Sequence, residues 1–192
     1  MNLDKNYLVG KLLIAMPGMM DPRFYRAVIF ICAHDAKGAM GLVINQKLAG
    51  LQFGDLLDQL KIPSNIKIDI ASATFPVMLG GPVEGARGFL LHSGDFRQVD
   101  TIVINDDYAV TGTVEALKEV ALGRGPAHMM FLLGYAGWGA GQLEQELQDN
   151  AWLVVDPDPA IMFEAGPEEK WDRAVGKLGV NPAMLSGAAG RA

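Results

Sequence analysis

Residues 126–152, PAHMMFLLGYAGWGAGQLEQELQDNAW, join an apolar run, a glycine cluster and an acidic helix without a spacer. Met129 to Leu133 reads as a buried strand, and Gln142 to Asp149 reads as a short helix. Between them Gly134, Gly137, Gly139 and Gly141 predict a sharp turn from Gly134 to Gly141. A strand, a glycine turn and a helix start can cradle an anion, because the helix start offers unpaired N–H groups. Charge opposes that reading. No Lys or Arg occurs between Pro126 and Glu169, whereas Glu144, Glu146, Asp149, Asp156, Asp158, Glu164, Glu168 and Glu169 are all acidic. A helix start is equivalent to only about half a positive charge, so a phosphate here needs a basic residue from elsewhere. The cluster also lacks the Lys-Ser or Lys-Thr of a phosphate loop and does not match the dinucleotide fingerprint, which leaves close backbone packing as the simpler role of its glycines.

Working outward, Leu12 to Met16 reads as a strand ended by Pro17-Gly18. The runs AVIFICA (27–33) and AMGLVIN (39–45), joined by a polar turn, predict a hairpin covered on both faces, with Gly41 marking a bulge or a close backbone approach. Phe53, Leu56, Leu57 and Leu60 share one face of a helix that stops before Pro63. Strands are expected around Ile66 to Ile70, at Pro76 to Leu79, at Arg87 to His92 and at Thr101 to Ile104, with a glycine turn at Gly80 and Gly81. A helix from Thr113 to Leu122 is expected to turn Val114, Leu117 and Ala121 inward and to end on Gly123. Trp152 to Val155 predicts a strand. A last helix from Pro167 is expected to bury Trp171, Val175 and Leu178 and to end at Gly179. Strands outnumber helices and several are hairpin-linked. The expected class is therefore α/β in the α+β sense: a single domain over residues 1–180 with a mixed, largely antiparallel sheet curled into a barrel-like body, flanking helices, and a flexible tail at 181–192.

The bulk numbers narrow the function. The 192 residues are half hydrophobic, enough for one substantial core. A net charge of −6 and a pI near 5.0 give no global attraction for nucleic acid or anionic lipid. The single Cys32 excludes an internal disulfide framework and suits a reducing compartment. Leu12 to Met20 is too short to span a bilayer and Asp4 precedes it, so a cytoplasmic protein without membrane contact is expected.

Few residues carry chemistry. Cys32 and His34 lie at i and i+2 on a strand, and with His92 they could supply three metal ligands. No CxxC or HExxH spacing supports a site, and a lone buried cysteine is usually a small core residue, so neither metal nor cofactor is expected. Serine hydrolysis finds no GxSxG, and His92 next to Ser93 in sequence does not place a base on a nucleophile. Asp21, Arg23 and Arg26 near one turn, with Arg87, could form an anion patch or simply surface ion pairs. Trp138 on the glycine turn is a partner anchor if exposed and a core plug if buried.

GKLLIAMPGMMDPRF, the hairpin running into GLVINQ, LGGPVEGARGFLLH and LGYAGWGAGQLEQEL followed by NAWL occur in an order that resembles the bacterial YqgE/AlgH family over about Leu8 to Val180. The resemblance implies a single cytosolic α/β domain with a sheet curled into a barrel-like body, no agreed enzymatic activity and no cofactor. One branch is named for regulation of alginate genes, which implies a link to transcription, but no DNA-reading helix is evident here. The resemblance carries no catalytic set. Its motif positions, Asp21, Asn45, Gly80, Gly81, Pro82, Arg87, His92, Gly134, Gly137, Trp138 and Gly141, are candidates only.

Two functional expectations follow. The first is a cytosolic binding or regulatory protein acting through protein contacts, with direct nucleic-acid binding disfavoured by charge. The second is a small-ligand binder or an enzyme of unassigned reaction using a pocket near Asp21, Arg87 and His92. The candidate ligand or partner residues are Asp21, Arg23, Arg26, Asn45, Arg87, His92 and Trp138.

Overall fold

A computed structural model describes residues 7–63, 76–112, 114–181 and 184–185. Its strands are β1 (Leu12–Ala15), β2 (Val28–Asp35), β3 (Gly38–Val43), β4 (Lys47–Gln52), β5 (Pro76–Leu79), β6 (Val83–Ser93), β7 (Ile102–Val103), β8 (Tyr108–Thr111), β9 (Met129–Gly139) and β10 (Trp152–Val155). The helices are α1 (Phe53–Gln59), α2 (Val114–Ala121), α3 (Gln142–Gln148) and α4 (Pro167–Lys177), with a 3-10 turn at Pro22–Phe24 and a π-helix at Ala160–Glu164. The strand expected at Ile66 to Ile70 and most of the expected tail lie outside the described residues. The class is α+β with a mixed, largely antiparallel sheet; among the described pairings only β5 with β9 is parallel. No helix of the described residues is long and apolar enough to cross a membrane.

The chain forms two compact units. The first comprises Met1–Gln46, Gly80–Val83 and Tyr135–Ala192; the second comprises Lys47–Leu79 and Glu84–Gly134. In the first unit β1 is wholly buried and pairs antiparallel with β10 and β2, which explains its unbroken apolar run. The expected hairpin is β2 with β3, and its register shifts between Ile31 and Ala33. Gly41 is the close approach: a Cβ there would fall 2.6 Å from Ile29 Cγ2. Leu13, Ile29, Val43, Ala136, Trp138 and Trp152 belong to the core of this unit.

The glycine cluster is not the expected turn. Gly134, Gly137 and Gly139 lie within β9, and only Gly141, with φ 74°, stands outside it at the entry to α3. From Ala136 to Gly139 the strand alternates buried and exposed positions, with glycines on the exposed side and Ala136 and Trp138 inside. Glycine supplies no side chain to reveal that alternation, so the run looks like punctuation. The close backbone approach lies on the partner strand instead: a Cβ on Gly38 of β3 would lie 2.2 Å from the Trp138 carbonyl oxygen.

In the second unit Phe53, Leu57, Val77, Leu90, Leu117 and Phe131 form the core. Helix α1 opens with a capping box in which the Gln52 N–H donates to Asp55 Oδ2 at 3.0 Å. Strands β4 and β8 were not expected: β4, KLAGLQ, has no buried position, and β8 is a four-residue run directly after Asn105-Asp106-Asp107. Helix α2 turns Ala116, Leu117 and Ala121 inward while Val114, expected inside, is 45% exposed at the first turn. In the first unit Leu178 also departs from expectation, because α4 ends at Lys177 and leaves Leu178 as its exposed cap.

Helix α4 instead buries Lys170 beside Trp171, Ala174 and Val175. The Lys170 ammonium donates to the carbonyls of Ile161, at short range, and Met162, at 2.8 Å, and so satisfies the π-helix. Burial, aided by the nearby Arg173 charge, pushes Lys170 down to about 8 from 10.5. The charged form is thus disfavoured in the folded chain. Stability should rise as pH increases from about 8 to 10.5, where the folded chain has lost this proton and the unfolded chain still holds it. Equilibrium urea unfolding across that range should show the rise in the wild type and a flatter profile in Lys170→Met.

Candidate functional site

The first unit contains a cavity of about 780 Å³ between the loop after β1, the C-terminal half of β9, α3 and the start of β10. Its wall is aromatic. Trp138, on the buried face of β9, meets Trp152 of β10 edge to face with ring centroids 6.1 Å apart. Phe24 packs edge-on against Trp152 at 5.9 Å, placed by the 3-10 turn that Asp21 caps through the Arg23 N–H. Met16, Met19 and Met20 add thioether surface, and Met20 is 93% exposed at the rim.

Glu146 organises this wall. Its Oε2 accepts the indole N–H of Trp138 at 2.9 Å and that of Trp152 at 2.8 Å. Its Oε1 accepts Gln142 Nε2 at 2.9 Å, and Gln142 Oε1 in turn accepts the Gly139 N–H at 3.0 Å. Gln142 and Glu146 sit at i and i+4, so one face of α3 serves both residues. Two buried donors that would otherwise lack partners are thereby satisfied by one carboxylate.

Among the described residues the charged lining is mostly acidic: Asp21, Glu146 and Asp149 against Arg23. Arg23 grips Asp21, with Nη2 to Oδ2 at 2.7 Å, and these hydrogen bonds hold the Asp21 carboxyl below its ordinary range. Arg23 also lies over the Phe24 ring at 5.7 Å. The remaining acids therefore dominate the potential of the cavity.

Of the residues expected from sequence, Asp21, Arg23 and Trp138 line this cavity. Trp138 is only 7% exposed, so the open question of its exposure resolves to burial. Arg26 pairs with Asp172 at 2.7 Å and lies 4.4 Å over the Trp171 ring. Asn45 ties two segments together, accepting the Val28 N–H at 2.9 Å and donating to the Arg26 carbonyl at 2.8 Å. Arg87 and His92 belong to the second unit, and neither lines the smaller, apolar cavity there. Arg87 pairs with Glu84 and lies over Phe89.

His92 is fully buried, and desolvation lowers its pKa. Its Nδ1 donates to the Ser93 carbonyl at 2.8 Å, and in the neutral ring that burial favours Nε2 accepts from the Thr111 hydroxyl at 2.9 Å. It does not face the Ser93 hydroxyl, which donates to Asp95. The Cys32 thiol donates to the Phe30 carbonyl, and burial pushes it up to about 12, which leaves no thiolate at neutral pH. Both His34 nitrogens are engaged, one by the Leu8 N–H and one by Glu144. Among the described residues no group of three or more His, Cys, Asp or Glu is arranged to hold a metal.

Sequence reasoning missed Glu146, Gln142, Trp152 and Phe24 as site residues. A signal was present within residues 126–152: a helical Gln/Glu pair at i and i+4 stands between two tryptophans.

These observations define a class, an α+β protein with a preformed, aromatic-lined cavity. The chain belongs to the AlgH-like family, whose model matches residues 12–183. It is 49% identical over 191 residues to a UPF0301 protein of Methylobacterium nodulans, covering 97% of this chain and 91% of that protein. With a UPF0301 protein of Ruegeria pomeroyi it shares 50% identity over 186 residues, covering 96% and 99%. Among solved structures it is similar to the solution structure of AlgH from Pseudomonas aeruginosa, at 41% identity, a TM-score of 0.77 and full coverage of both chains. A crystal structure from Corynebacterium diphtheriae, at 20% identity and a TM-score of 0.72 over 96% of this chain and 92% of that one, shares the fold.

Proposed function

We propose that the chain is a binding protein that takes a small, largely apolar organic ligand in the cavity of its first unit. The observation that carries this reading is the carboxylate of Glu146 fixing two indoles as one wall of a cavity of about 780 Å³. That volume is in the range of small-molecule sites, which are concave, mostly apolar and marked by a few convergent polar groups. Contact with a protein through an exposed Trp138, the other expectation, has no exposed indole to use. The polar residues of this cavity are Asp21, Arg23, Gln142, Glu146, Asp149 and Asn150, while Arg87 and His92 belong to the second unit.

Gly137 gives a direct test. It lines the cavity on the exposed side of β9, and a Cβ there makes only ordinary contacts, the nearest 3.5 Å from the Tyr135 ring. Gly137→Phe should therefore be tolerated by the fold while placing a ring at a lining position of the cavity. Titration of the wild type with indole or benzyl alcohol, followed by isothermal calorimetry, should saturate in about the millimolar range, as expected for fragments of this size. Gly137→Phe should lose the response and keep its circular dichroism spectrum. Absence of a wild-type response, or an unchanged response in Gly137→Phe, contradicts the reading.

A further inference from the structure

We infer that the ligand is an organic cation, an alkylated ammonium group on a small apolar body, seated against the Trp138 and Trp152 wall. The inference rests on the binding reading above and adds the charge of the ligand to it. Three observations converge. Trp138, Trp152 and Phe24 line the cavity, and aromatic rings attract cations, tryptophan most strongly. Both indole N–H groups donate to one carboxylate, which places a negative charge beside the two rings. Finally, among the described residues Arg23 is the only basic one lining the cavity and it is occupied by Asp21, which leaves Glu146 and Asp149 without a basic partner there.

The polar partners of Glu146 leave room for this role. Its two oxygens accept three hydrogen bonds, from Trp138, Trp152 and Gln142, and each of those donors is neutral. The carboxylate is thus hydrogen-bonded without being neutralised. Asp149 accepts only the neutral Gln145 amide at 3.0 Å among its described side-chain bonds. A ligand carrying an ammonium group supplies the missing opposite charge. Because the alkylated ammonium has few or no N–H donors, it is recognised by aromatic faces, thioethers and a nearby carboxylate rather than by a fork of acceptors. Met16, Met19 and Met20 provide the polarisable surface that such a group favours.

The test uses four probes on the full chain: benzyltrimethylammonium, choline, the uncharged carbon isostere of choline (dimethylbutanol), and phenylacetate. Isothermal calorimetry should show saturable binding of both cations, weaker at high ionic strength. The isostere should bind about tenfold more weakly than choline, the size of one well-placed cation–aromatic contact, and phenylacetate should not bind. Glu146→Gln keeps an oxygen acceptor for the indoles and removes the charge. It should lower cation affinity by about three- to tenfold and dimethylbutanol affinity by less than that. Asp149→Asn, at an exposed position outside the indole network, repeats the comparison without touching the wall. Equal binding of choline and its isostere, or tighter binding of phenylacetate, overturns the cation assignment and leaves the binding reading standing. Binding of indole and benzyl alcohol with no binding of either cation has the same meaning. Failure of all neutral and charged probes removes both.

Discussion

Gly81→Ala is expected to destabilise the chain by about 4 kcal/mol or more, at the far end of what single substitutions do. Gly81 has φ 152°, and a Cβ placed on it would lie 2.1 Å from the Tyr135 carbonyl carbon, 2.3 Å from its oxygen and 2.4 Å from the Ala136 nitrogen. All three atoms are backbone, so no side-chain rotation relieves the clash. Relief requires moving the start of the first-unit segment of β9, which carries Trp138. A domain is stable by only about 5–15 kcal/mol, so much of the variant should be unfolded or insoluble at room temperature. Gly85→Ala is the control. Nothing lies within 4 Å of a Cβ at that position, and its midpoint in urea should stay within about 0.5 kcal/mol of the wild type.

Glu146→Leu is the second large effect. The substitution leaves the indole N–H groups of Trp138 and Trp152 without their acceptor, and these side chains are only 7% and 4% exposed. An orphaned buried donor costs about 1–3 kcal/mol, so the pair should cost about 2–5 kcal/mol. Glu146→Gln, which retains an acceptor oxygen, should fall well short of that loss. Chemical unfolding of the two variants side by side separates the hydrogen-bonding role of Glu146 from its charge. Equal stability of Glu146→Leu and the wild type would mean that the indoles find other partners and that Glu146 does not organise the wall.

Much of the fold was legible in the apolar runs. β1, the β2–β3 hairpin, α1 and β10 are marked by continuous or periodic hydrophobic residues whose burial the structure shows. What escaped has a common cause, that a residue's identity there does not report its environment. Glycines in β9 carry no side chain and so hide a period of two. Lys170 occupies a core position of α4 because two carbonyls of the π-helix accept its ammonium, and a lysine in a helix otherwise reads as solvent-facing. The candidate site was legible by half. Trp138 stood out as the one large side chain among glycines, but Glu146 looked like one more acid in an acidic row. Its role appears only when α3 folds back along β9 and brings residues eight and six positions away onto one carboxylate.

The central claim is that this indole-lined cavity is where a ligand sits, and the indole N–H resonances of the three tryptophans report on it most directly. Trp138 and Trp152 line the cavity, whereas the Trp171 indole donates to the Ala15 carbonyl and lines no part of it. In a heteronuclear correlation spectrum of the wild type titrated with benzyltrimethylammonium, the Trp138 and Trp152 indole signals should shift together and saturably while that of Trp171 stays in place. A titration in which Trp138 and Trp152 remain fixed, or in which Trp171 alone moves, would contradict the account.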